Sequence, residues 1–309
     1  MASSTPYDDV FRTLLNDCSE LILPVLNEAF GEHYKGNERI EFAPNEHFLN
    51  CQDGDVVERI TDSCFTVISG NDATPKKYHI ESQSTEDGRI LIRIFEYDAQ
   101  IALDCGEISG DILTVTFPHS AVLYLRSSQT MPNAMTIRMI VPGGKSVTYP
   151  IPVIKVPEYE PEELFRKNLL FLLPFHLFHY EHNFDDYERK PEMLRELEKK
   201  YGAIMNELER LQDTGEIDEF TRRAIIDMTK EVTRHLASKY KNVKEGVESI
   251  MGGKILDYEA KDILNQGKSA VVIELLRAKQ PLELIAKVSK FSVERIAEIG
   301  KEHGLVVQP

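Results

Sequence analysis

One helix-length segment, ILIRIFEYDAQIAL (residues 90–103), stands among runs rich in Val, Ile, Leu and Thr, and that alternation constrains the chain more than any other feature. Before it come RITDSCFTVIS and YHIES, separated by the loop GNDATPKK, which predict two neighbouring strands in antiparallel pairing. After it come ILTVTF, AVLYLRS and MTIRMIV, each read as a strand, and then PGGKS as the turn into VTYPIPVIKV. Pro150, Pro152 and Pro157 suit an edge strand that runs on into an extended linker. Within the helical segment Arg93, Glu96 and Gln100 fall at i, i+3 and i+7 with apolar residues almost everywhere else, so a helix mostly buried against a sheet is expected. The fold class is mixed α/β.

Helices are expected on either side of this core. Val10 to Phe30 reads as a helix pair, with Pro24 marking a restart or kink and Gly31 an end. Residues 158–245 are helical and charged: MLRELEKKYGAIMNELERL carries Leu194, Leu197, Ile204, Leu208 and Leu211 on one stripe, as a bundle or an oligomerisation arm would. Residues 246–309 close the chain with PLELIAKVSKFSVERIAEIGKEHGL, a helix-turn-helix outline with Ser292 as an N-cap, or an ordinary helical hairpin. The division is therefore 1–157, 158–245 and 246–309, a core followed by a C-terminal all-helical extension.

Leu164 to Tyr180 is the most apolar stretch, yet Arg166, Lys167 and Pro174 interrupt it, so it reads as a buried helix and no membrane partner is expected. The opening MASSTPYDDVF lacks the basic start and apolar run of a signal peptide. Four cysteines show neither CxxC nor CxH spacing, which argues against a zinc site or a disulfide framework and favours a reducing cytoplasm. Net charge is −15, but unevenly spread: residues 1–229 hold 22 Lys+Arg against 40 Asp+Glu, residues 230–309 hold 14 against 11. Attraction to nucleic acid would have to come from the tail or from local patches.

The chemistry gathers at YHIESQ, residues 78–83. Alternation puts His79, Glu81 and Gln83 on one strand face and Tyr78, Ile80 and Ser82 on the other. A solvated edge or a metal site would each explain such a row. Asp62, Cys64 and Thr66 share a face of the preceding strand, so Asp62 and Glu81 can sit side by side, as carboxylates must to hold a hard cation. Gln83 follows Glu81 on the same face, about 7 Å further along.

Asp62, then Glu81-x-Gln83 on the next strand, then a helix with Arg93 and Tyr97, resembles the PD-(D/E)XK nuclease superfamily. More narrowly it is similar to the recombination-promoting nuclease (Rpn) and transposase-like branch, whose members carry ExQ where others carry ExK. Asp8-x-x-Phe11-Arg12 matches that branch's opening helix, and the likeness covers residues 7 to about 180. It implies a restriction-endonuclease-like core, a central mixed sheet flanked by helices. It also implies Mg²⁺ or Mn²⁺ at Asp62 and Glu81, and hydrolysis of DNA phosphodiesters.

Each residue has a plainer reading too. Asp62 fits an exposed strand start, and Asp8 fits a helix N-terminus whose dipole favours acids. Glu81 beside a buried helix would be costly to bury without a metal or cationic partner. Gln83, being neutral, can position water or phosphate only through its amide. Arg93 could meet phosphate or pair with Glu96 or Glu81, His79 is more often structural than a base, and Lys76 and Lys77 suit a solvated loop. The expected function is a Mg²⁺-dependent DNA endonuclease, with homo-oligomers forming through the helical region. The alternative is a catalytically impaired nuclease fold that binds another protein.

Overall fold

Thr5 starts the first helix, α1 (Pro6–Asp17), by a reciprocal cap: its hydroxyl accepts from the Asp8 amide at 3.3 Å while the Asp8 carboxylate accepts from the Thr5 amide at 2.7 Å. The computed structural model describes residues 5–42, 46–50, 56–60, 63–70, 74–128 and 130–252. Beyond these it describes 269, 271–273, 275–278, 280–289, 296, 299–301 and 305, and for 46–50, 56–60, 283 and 287 the backbone alone. The expected break at Pro24 falls earlier, in a 3-10 turn at Ser19–Leu21. Pro24 lies in the first turn of α2 (Ile22–Phe30), where a missing N–H costs nothing. Gly31 ends α2 with φ of 67°, a conformation that suits glycine at this position.

Ten strands follow, in chain order β1 (Arg39–Phe42), β2 (Glu46–Asn50), β3 (Val56–Ile60), β4 (Ser63–Ile68), β5 (Lys76–Gln83), β6 (Glu107–Ser109), β7 (Ile112–Thr114), β8 (His119–Tyr124), β9 (Ala134–Ile140) and β10 (Ser146–Lys155). Six of them form one mixed sheet in the order β1-β4-β5-β8-β10-β9. As expected, β4 and β5 are antiparallel, with Cys64 opposite His79. The helix α3 (Ile90–Asp104) then crosses to β8, which runs parallel to β5 and places Val122 beside Glu81.

Three readings of the strands need correction. RITDSCFTVIS is not one strand: β3 ends at Ile60 and pairs with β2 in a separate hairpin, whereas β4 begins at Ser63. ILTVTF contributes only β7, paired with β6 as a hairpin apart from the main sheet. β10 is not an edge strand, because it lies between β8 and β9. Its prolines are tolerated because Ser146–Pro152 pair with β9 alone, while only Val153–Lys155 pair with β8. The Val153 amide donates to Asn133, so the nitrogens of Pro152 and Pro150, at alternating positions, face the unpaired side.

The sheet has two covered faces. On one, Phe65, Tyr78, Ile80, Ala121 and Leu123 join helical residues from before and after the strands, among them Phe11, Leu26, Leu208 and Val232, in one apolar cluster. On the other, Ile90 and Ile94 of α3 pack on Val122, Tyr124, Ile151 and Val153. α3 was expected to be mostly buried apart from the stripe of Arg93, Glu96 and Gln100, but Ile92, Phe95 and Leu103 are exposed.

The stretch from Leu164 is buried but is not an α-helix. α4 (Pro161–Arg166) stops before Asn168, at φ of 57°, and a 3-10 run continues from Leu170 to Asn183 through Pro174. Residues 170–178 are buried on every side, so they carry no one-sided stripe. α5 (Phe184–Arg189), α6 (Pro191–Asp213), α7 (Glu219–Leu236) and α8 (Lys241–Ile250) follow, and α6 turns Leu197, Tyr201, Ile204, Leu208 and Leu211 into the same cluster as α1. α7 packs on α1 and on the 3-10 run.

Asp218 caps α7 by accepting from the Thr221 amide at 2.7 Å. Asp218→Ala is expected to cost about 1 kcal/mol in urea unfolding. In the tail the structure describes α9 (Leu282–Ser289) and a small cluster that includes Val272, Leu276, Ile285, Ile296 and Ile299; Ser292 lies outside the described residues. Among the described residues no helix is long and apolar enough to cross a membrane.

Candidate functional site

Strand alternation places His79, Glu81 and Gln83 toward α3, as expected. What meets them there is an acid on the buried side of the helix. The fully buried His79 lies with Nδ1 2.7 Å from Asp98 Oδ1 and Nε2 3.0 Å from Glu81 Oε1. Ser120 of β8 donates to Asp98 Oδ1 at 2.7 Å. Arg93, one turn before Tyr97, brings Nε to 3.5 Å from Glu81 Oε2 and Nη1 to 3.4 Å from Asp87. The result is a continuous chain, Ser120–Asp98–His79–Glu81–Arg93–Asp87, crossing from β8 through β5 to the start of α3.

Both ring nitrogens of His79 face carboxylate oxygens, so the imidazolium, which donates from both, is the form that satisfies the site. Burial alone favours the neutral ring. The hydrogen bonds to Asp98 and Glu81 outweigh it and raise the pKa from an ordinary 6.5 to about 9. A raised folded-state pKa stabilises fully below the unfolded value and is lost as pH rises through the folded one. Stability to urea should therefore fall progressively between about pH 6.5 and about 9, on a slope that His79→Gln removes.

Cys64 lies across from His79 on β4, and burial pushes its thiol up to about 11, so it is not poised as a nucleophile. Tyr97 meets the His79 ring edge-on at 5.8 Å. Among the described residues Asp98 Oδ2, Arg93 Nη2 and the Tyr149 hydroxyl, all buried, meet no hydrogen-bond partner, which leaves both an acceptor and donors unused around the chain.

The residues marked in the sequence separate. Glu81, only 3 % exposed, is in the centre with Arg93 on it. Gln83 is on the same face, but its amide donates to the Ser82 carbonyl at 2.6 Å. Asp8 is the partner of Thr5 in the α1 cap. Asp62 lies outside the described residues. Lys76 pairs with Glu32 at 2.7 Å and Lys77 bonds Cys105, so both are engaged at the start of β5. The sequence reading missed Asp98 and Ser120. Asp98 carried a usable signal, an acid one turn after Ile94 and three residues before Ile101 on the apolar side of α3.

A divalent cation takes several oxygen ligands. Among the described residues no group of three or more His, Cys, Asp or Glu could hold one, and both Glu81 oxygens already face nitrogen cations. The described carboxylates of the chain, Asp98, Glu81 and Asp87, are each turned to His79 or Arg93. A groove of about 850 Å³ between α4 and α6 lies away from this chain, and Arg210 on its wall is tied to Glu207 and Glu216. Comparison of the chain with protein-family models, with curated proteins and with solved structures finds no match.

Proposed function

We propose that the protein is a metal-dependent DNA endonuclease of the PD-(D/E)XK type, close to the recombination-promoting branch. Its core would be restriction-endonuclease-like, with Glu81 as the central carboxylate, Asp62 as the second, and Mg²⁺ or Mn²⁺ as cofactor. The observation that carries this reading is Glu81 itself, a nearly buried carboxylate on β5 with the Arg93 guanidinium of α3 3.5 Å from it. Ser63 pairs with Ile80, and its hydroxyl donates to the Ile80 carbonyl at 3.0 Å. Arg93 is the cation able to turn from Glu81 to a phosphate. Gln83 would orient water or phosphate through its amide once released from the Ser82 carbonyl.

The purified full chain is expected to convert supercoiled plasmid to nicked circles with Mg²⁺ or Mn²⁺ and not with a chelator. One observation favours a second reading, a nuclease fold acting as a protein-interaction module: His79 and Arg93 already neutralise Glu81. Titration calorimetry separates the two. Heat of Mn²⁺ binding that Asp62→Asn removes supports the nuclease, and no binding at millimolar Mn²⁺ supports the module.

A further inference from the structure

Two hairpins leave the molecule at one end of the sheet. β5, β8 and β10 run in one direction, so the β9–β10 turn and the β6–β7 hairpin before β8 lie at the end opposite Gln83. Among the described residues the β6–β7 hairpin joins no other strand, and it exposes Ile108 (79 %), Ile112 (67 %) and Leu113. A hairpin of two three-residue strands is not stable in water by itself, so its conformation needs cover. The β9–β10 hairpin exposes Ile140 (74 %), Val141 and Val147. Ring contacts from Phe95 to Phe117 and from Phe117 to Tyr149 run from α3 to β10.

β9 is also the outermost strand of the sheet, seven residues long with Arg138 its single charge. The opposite edge, β1, has four residues and carries Arg39 and Glu41. Natural sheets guard edges with charge or shortness, as β1 does and β9 does not.

The charges on the two hairpins are opposite. Residues 94–125 contain no Lys or Arg, and Glu107 and Asp111 are exposed on the first hairpin. Residues 112–157 contain no Asp or Glu, and Arg138 and Lys145 are exposed on the second. We infer that a second copy of this chain docks here about a two-fold axis, the β6–β7 hairpin of each protomer lying on the β9–β10 hairpin of its partner. A two-fold interface requires both complementary halves on one surface, which this surface provides. Two cations among apolar side chains are too few for a nucleic-acid backbone, whose binders neutralise several phosphates. The dimer does not depend on the nuclease reading, since its residues lie at the other end of the sheet.

Sedimentation equilibrium of the full chain at micromolar concentrations tests it, with circular dichroism confirming the fold of each variant. Wild type should be a dimer that weakens with added salt. Arg138→Glu with Lys145→Glu sets acid against acid, and Glu107→Lys with Asp111→Lys sets base against base. Each pair of changes should raise the dimer Kd at least about 100-fold. Mixed together, the two variants should recover a heterodimer, because both contacts become attractive again. A monomeric wild type, variants that stay dimeric, or a mixture that stays monomeric would each overturn the inference.

Discussion

Glu81→Gln should abolish metal-dependent nicking, lowering the rate by at least about 100-fold, the scale on which even an outer partner of a metal site acts. The change keeps the shape of the side chain and removes its charge. Glu81 is nearly buried, and its surroundings are cationic, with His79 on one oxygen and Arg93 on the other. The amide can still accept from one of them, so the fold should survive with a modest fall in unfolding midpoint. Gln83→Ala should cost less than Glu81→Gln, because Gln83 brings only a neutral amide that is now spent on the Ser82 carbonyl. If Glu81→Gln nicks plasmid as fast as wild type while Mn²⁺ still binds, Glu81 is not part of the site.

Asp98→Ala should be among the most destabilising single substitutions in the protein, by about 3–5 kcal/mol, because it leaves a buried imidazolium with one carboxylate in place of two. It also strands the Ser120 hydroxyl, which donates to the same oxygen. Asp98→Asn should cost less, since the amide oxygen can still accept from His79 Nδ1. Urea midpoints at constant m-value measure both. The two variants should also flatten the pH dependence expected above pH 6.5, because His79 loses the Asp98 carboxylate, the first of the two that raise its pKa. A loss below about 1 kcal/mol for Asp98→Ala would mean that the Asp98–His79–Glu81 chain is not a buried ionic unit.

The face of β5 and the helix after it were legible because both periodicities are clean: His79, Glu81 and Gln83 alternate, and Ile90, Ile94 and Ile101 recur at helical spacing. The partner of that face was not legible. Asp98 interrupts the apolar side of α3, and a stripe defined by Arg93, Glu96 and Gln100 counts the polar positions of a helix without testing the apolar ones for an acid. Ser120 had no signal, since a serine inside a β run is compatible with either face. The 3-10 run failed for another reason: helical periodicity records one buried side, and Leu170 to Phe178 are buried all round. The prolines of β10 were read as an edge, and half of the strand behaves as one, because pairing changes sides at Val153. Charge was visible throughout, but which charged loops share an end of the sheet depends on strand direction, and that came only with the fold.

The packing of α7 against α1 has a bearing on synthesis. α1 leaves the ribosome before the sheet, but α7, which packs on it, ends at Leu236, long after β10 ends at Lys155. At ordinary elongation speeds the interval between the two lasts roughly 4 to 16 s. For that time a nascent chain holds a finished sheet and an α1 that lacks the α7 packed on it, so chaperone engagement should peak there, and a ribosome stalled before α7 should hold an aggregation-prone intermediate.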